Sequence, residues 1–102
     1  MPEFLNPFPG LVPRKMTKGE LIRAIRLNVA AEEEAVHAYM AHAEATDDPL
    51  AKQVLIDIAD EERVHAGEFL ELLRRLAPDE EKLLQKGKEE VEEMAGEQKR
   101  KK

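Results

Sequence analysis

Glu32, Glu62 and His65 stand where the surrounding pattern calls for apolar side chains, and all three residue types ligate metals. Downstream of Ala51, the residues Leu55, Ile58, Glu62, His65, Phe69, Leu72 and Leu76 follow at alternating spacings of three and four, one seam of a helix. Upstream, Leu21, Ile25, Val29, Glu32, Val36, Tyr39 and Ala43 mark a second seam with a carboxylate at mid-length. An ionised carboxylate buried without a partner costs several kcal/mol, so acids facing inward at matching depth on two helices call for a compensating cation. A bound metal ion supplies it.

A Glu-x-x-His spacing alone says little, and the chain contains it twice, at Glu34/His37 and at Glu62/His65. The face decides between them. Glu34 and His37 lie off the stripe of Val29, Val36 and Tyr39 and read as a solvated pair, whereas Glu62 and His65 lie on the stripe, where an unpaired polar pair is expensive. Tyr39 follows Glu32 by two turns on the same face, so its ring is expected near the site, either as a core aromatic or as a redox group. Glu33, Glu61, Glu68 and His42 read as surface residues, and the acidic stretch 89–93 with Glu97 as a solvated helix face.

The elements that must position these ligands are punctuated clearly. Thr17 and Glu20 have the form of a capping box, opening a helix that runs to about Ala45. Asp47-Asp48-Pro49 ends it and starts the next, with Pro49 at the first helical position and the end near Leu76. Each helix is about 42 Å long at 1.5 Å per residue, and so short a link makes them antiparallel neighbours. Pro78 with Asp79, Glu80 and Glu81 opens a third helix, which Gly87 weakens and Gly96 is expected to end. Its sparse apolar set, Leu83, Leu84, Val91 and Met94, suits packing on a partner surface. Ahead of the hairpin, residues 1–16 carry Pro2, Pro7, Pro9, Pro13 and Gly10 and read as an extended arm. Phe4, Leu5, Phe8, Leu11 and Val12 make it sticky: either a disordered leader, with Met16 as an alternative start, or an arm docked on a neighbour. Residues 97–102 read as a disordered basic tail, leaving 17–96 as one all-α domain.

Composition narrows the function. A net charge of -6 argues against general nucleic-acid binding. The absence of cysteine removes disulfides and thiolate metal sites, so any ion here is held by oxygen and imidazole nitrogen. No apolar run is long enough to span a bilayer and no signal-peptide centre is present, which leads to the expectation of a cytoplasmic protein.

A two-helix hairpin leaves an apolar seam uncovered, which favours self-association. Di-iron carboxylate bundles use one Glu from each of two helices and Glu-x-x-His from each of two others. This chain carries one of each, so a two-fold dimer completes four Glu and two His, and four carboxylates balance two divalent ions. The ligand set suits iron, each Fe(II) giving one electron to dioxygen, with zinc, manganese or calcium as surrogates. Two rivals remain: an assembly module whose polar seam residues fix register, and a rubrerythrin-type di-metal oxidase or peroxidase, although without the cysteine ligands of that type's electron-transfer iron.

The stretch Ala31-Glu32-Glu33-Glu34-Ala35-Val36-His37-Ala38-Tyr39, followed by Asp60-Glu61-Glu62-Arg63-Val64-His65, resembles the encapsulated ferritins, short two-helix members of the ferritin-like superfamily. The resemblance spans residues 18 to 76. It implies a helical hairpin with a smaller C-terminal helix, a ferroxidase centre formed only at a dimer interface, and dimers joined into a ring-shaped homodecamer. By the same resemblance Glu32, Glu62 and His65 are iron ligands, Tyr39 is the nearby tyrosine, and Glu34 is an acidic residue of the iron-uptake path. The second acid of that path falls on Ala31, and a tryptophan common in the family falls on Ala38. An encapsulin shell is the implied partner, with storage belonging to the shell because an open ring encloses no mineral. Glu97 to Lys102 does not match the apolar targeting peptide with which many members end.

Overall fold

In the computed structural model, which describes residues 14–101, the chain forms helices α1 (Lys18–Ala45), α2 (Pro49–Leu76) and α3 (Pro78–Arg100), with no strand among those residues. The expected all-α hairpin with a C-terminal helix is the architecture observed. The arm expected at the N-terminus lies, apart from residues 14–16, outside the described residues.

Local chemistry sets each helix start. Thr17 Oγ1 accepts from the Glu20 amide at 3.2 Å and the Glu20 carboxylate accepts from the Thr17 amide at 2.9 Å, the reciprocal capping box. Arg14 donates twice to the same carboxylate, each contact at 2.7 Å. That bidentate Arg14 contact, with the Thr17 amide, holds the Glu20 carboxyl down at about 2. At α2, Asp48 Oδ1 accepts from the amides of Leu50 and Ala51 at 3.0 and 3.1 Å, and Pro49 occupies the first turn where its missing N–H does no harm. Only Ala77 separates α2 from α3, and its amide donates to Leu73 O at 2.8 Å, closing the last turn of α2. An ion pair between Arg26 and Glu80 ties α1 to the acidic first turn of α3.

Contrary to expectation, Gly96 does not end α3; the helix continues to Arg100, so residues 97–100 are helical rather than a disordered tail. A helical glycine costs only about 1 kcal/mol relative to alanine. Lys99 and Arg100 in the last turn complement the negative end of the helix dipole and work against that cost.

α1 and α2 pack side by side, and α3 touches only α2 in quantity. The contact is made by small residues, Ala43, Ala59 and Ala66, with Ile25, so the two backbones come close but enclose little volume. Among the described residues no large side chain is fully buried. The radius of gyration, 18.0 Å, exceeds the roughly 13 Å of a compact domain of this length. Leu50, Val54 and Leu72 on α2 and Leu83, Leu84, Val91 and Met94 on α3 are exposed. These apolar side chains are left uncovered by the hairpin and by α3. No helix among the described residues is long and apolar enough to cross a membrane.

Candidate metal centre

The short link at Thr46, Asp47 and Asp48 folds α2 back on α1 so that the midpoints of the two helices come level. Glu32 is at the middle of one, Glu62 and His65 at the middle of the other. His65 Nδ1 lies 3.6 Å from Oε2 of Glu32 and 3.6 Å from Oε2 of Glu62. One ligand atom from each of the three lies within 4.8 Å of the other two. Those separations are too long for hydrogen bonds, whose heavy atoms approach to about 3.2 Å, yet two ligands about 2.1 Å from a common ion stand roughly 3 to 4 Å apart.

Burial sharpens the point. The Glu32 and Glu62 side chains retain 20% and 21% of their exposure, while His65 retains 50%. Glu32 Oε2 is sealed from solvent and has no hydrogen-bond partner. An orphaned carboxylate oxygen facing an imidazole and a second carboxylate is costly as it stands, and a cation between them removes the cost. The oxygen and nitrogen donors present therefore fit a hard or borderline divalent ion such as iron. Among the described residues this is the group of His, Asp and Glu side chains so gathered.

His65 departs from the even burial that a strict seam implies. The face of α2 turned toward α1 is marked by the buried Ala59 and Ala66, and His65, one residue before Ala66, stands about 100° round the helix from it, at the edge of the hairpin. Val54, Ile58 and Leu72 recur along the same edge, so the cluster opens on a flank that a second molecule can cover.

Tyr39 is half-buried and lines a shallow groove of about 230 Å³ with Ala31, Glu34, Ala35 and Ala38. It stands outside the three-ligand group. Glu34 is half-buried in the same groove rather than fully solvated. Its neighbour in the second Glu-x-x-His, His37, is exposed, as are Glu33, His42, Glu61 and Glu68. Periodicity set Glu34 apart because it weighed only the face turned toward α2, whereas a second groove runs along the side of α1.

Residues 24–102 match the family described as Rubrerythrin. The chain belongs to the rubrerythrin family. This rubrerythrin-family chain is also similar to the encapsulated ferritin domain from Pyrococcus furiosus, whose crystal structure it matches with a TM-score of 0.81 at 36% identity, covering 92% of this chain and 96% of that one. It is 55% identical over 75 residues to an encapsulin nanocompartment cargo protein of Myxococcus xanthus, covering 74% of this chain and 58% of the relative. To a ferritin-like–encapsulin shell fusion protein of Pyrococcus furiosus it is 40% identical over 90 residues, covering 86% of this chain and 26% of the relative. The rubrerythrin-family chain thus spans a little over half of one curated relative and about a quarter of the other. The ferritin-like fold and the resemblance to encapsulated ferritins drawn from residues 31–39 and 60–65 stand on these matches.

Proposed function

We propose that the protein is a ferroxidase that oxidises Fe(II) to Fe(III) with dioxygen at a centre shared by two copies of the chain. Glu32, Glu62 and His65 of each copy bind the substrate ions, so that two irons are held by four carboxylates and two imidazoles. Two Fe(II) ions supply two electrons, which reduce dioxygen to the level of hydrogen peroxide. The chain's own part is to hold both ions at fixed separation in a dry seam, to balance their charge with carboxylates, and to offer the His65 imidazole as a nitrogen ligand. Tyr39 borders the site and Glu34 lies on the uptake path, in supporting roles.

The observation that carries this reading is the sealed, partnerless Glu32 Oε2 beside His65 and Glu62. The functional unit is a homodimer, assembled further into a ring-shaped homodecamer. The names of the relatives support cargo of an encapsulin nanocompartment. In this reading the compartment is cytoplasmic and its shell stores the iron. Adding Fe(II) in air and following ferric absorbance tests it: wild type outpaces buffer, and Glu62→Ala does not. A trace equal to buffer for wild type favours the non-catalytic assembly module instead. The rubrerythrin match supports a second reading, a di-metal oxidase or peroxidase, which a strong preference for peroxide over dioxygen would favour.

A further inference from the structure

Ala59 precedes Glu62 by three residues and Ala66 follows it by four, which puts the three side chains on one face of α2. Both alanines are buried, Ala59 with 0% and Ala66 with 8% of its surface exposed. In a hairpin of two helices such a face is turned to the other helix. On α1 the buried residues are Ile25 and Ala43, about five turns apart and therefore on one line, and Glu32 lies about 20° from that line. The carboxylates of the candidate metal centre thus leave their helices where the helices touch. Interaxial distances run from about 8 to 10 Å according to the side chains at the contact, and alanine sets the lower end.

We propose that Ala59 is a positioning residue for the metal centre: its single methyl group sets the spacing of α1 and α2 beside the ligands, and that spacing favours ions with bonds of about 2.1 Å over larger ones. The inference rests on the ferroxidase reading and adds to it a determinant of which ion is taken. His65 Nδ1 on α2 stands 3.6 Å from Glu32 Oε2 on α1, inside the roughly 3 to 4 Å that two ligands of a small divalent ion span. Glu62 and His65 share one helix, so their own 3.6 Å separation follows from α2 alone. The Glu32 contact instead depends on how near the helices come. No hydrogen bond holds Glu32 Oε2 at that distance, which leaves the helix spacing to do so. Ala59 fixes that spacing about 4.5 Å along the axis from Glu62, whereas Ala43 lies about 16 Å from Glu32. With none of its surface exposed, Ala59 offers an added group no direction except into α1. A larger side chain there forces the helices apart and lengthens the Glu32–His65 separation, toward the geometry of Ca(II) with its bonds of about 2.3–2.6 Å.

Titrating the full chain with Co(II), whose visible spectrum reports its ligands, and separately with Ca(II) tests this. Ala59→Val is expected to weaken Co(II) binding about tenfold, the scale of loss when the support of a metal ligand is disturbed, and to leave Ca(II) binding unchanged. Ala43→Val adds the same two methyl groups at a contact only 1% exposed and should alter neither ion, so it separates overpacking of the hairpin from positioning of the ligands. Circular dichroism checks that each variant folds. Ala59→Ser, one heavy atom larger than alanine, is expected to weaken Co(II) in the same direction by less and carries the test if valine is not accommodated. Co(II) affinity unchanged in the folded Ala59 variants, lost equally in Ala43→Val, or lost in step with that for Ca(II) would overturn the inference and leave the ferroxidase reading standing. Failure of wild type to bind Co(II) at all would overturn both.

Discussion

Glu32 Oε2 on α1 and His65 Nδ1 on α2 face each other at 3.6 Å with no hydrogen bond between them, and the Glu32 oxygen has no other partner. Two helices have been brought together around an interaction that protein atoms alone do not complete. Most of the proposed chemistry follows from that mismatch.

Removing the orphan should help the metal-free protein. Glu32→Leu eliminates a buried, unsatisfied acceptor and is expected to stabilise the apo chain by about 1 kcal/mol or more. The same change should abolish stabilisation by divalent ions, which for wild type reaches about 2.7 kcal/mol at a hundredfold excess over Kd. Thermal melts with and without Fe(II) surrogates check both halves. Equal metal-induced shifts in wild type and variant would mean that Glu32 is not a ligand.

The open flank should be an association surface. Val54 and Leu72 are 46% and 40% exposed along the edge that carries His65. Leu72→Asp is expected to give a helical but monomeric chain in sedimentation and to lose iron oxidation with it. Val64→Asp, at a position 63% exposed elsewhere on α2, should change neither.

The start of α1 should respond to acid in a defined window. Glu20 titrates at about 2 in the folded chain against 4.5 ordinarily, chiefly through Arg14 and then through the Thr17 amide. A lowered folded-state value favours folding above the ordinary value and loses that contribution as pH falls from about 4.5 toward about 2. Glu20→Gln should flatten the dependence of stability on pH across that window. Arg14→Ala should flatten it in part, since the Thr17 amide still holds the carboxylate. Glu71, held at about 2 by Arg74 and Arg75, contributes in the same window and should remain in the Glu20 variant.

Continuity of α3 through Gly96 can be read by amide exchange. Gly96→Ala should stabilise the helix by roughly 0.5–1 kcal/mol and slow exchange at residues 97–100, because the added Cβ meets only the Arg100 guanidinium at an ordinary 3.8 Å. Faster exchange there would return Gly96 to the role of a helix terminus.

These outcomes divide along what sequence can encode locally. Thr17/Glu20, Asp48/Pro49 and Pro78 act on amides within one turn, so the three helix starts were legible from residue type alone. Heptad spacing was enough to bring Glu32, Glu62 and His65 to one level, because a three-residue link leaves the hairpin little choice of register. Three features were not legible. The end of α3 depends on a small balance between the cost of glycine and the favourable charges of Lys99 and Arg100, which a stop signal read at face value misses. The half-exposed edge position of His65, and the groove that Glu34 shares with Tyr39, depend on how far each helix rotates against its neighbour, and a repeating pattern averages that rotation away.

Anaerobic native mass spectrometry with Fe(II) tests the shared centre most directly. The expected spectrum shows iron in pairs on dimers or their multiples, one ion per chain, with no iron on the monomer and none on the His65→Ala protein. Iron carried by isolated monomers, or bound equally after His65→Ala, would contradict a centre built across two chains.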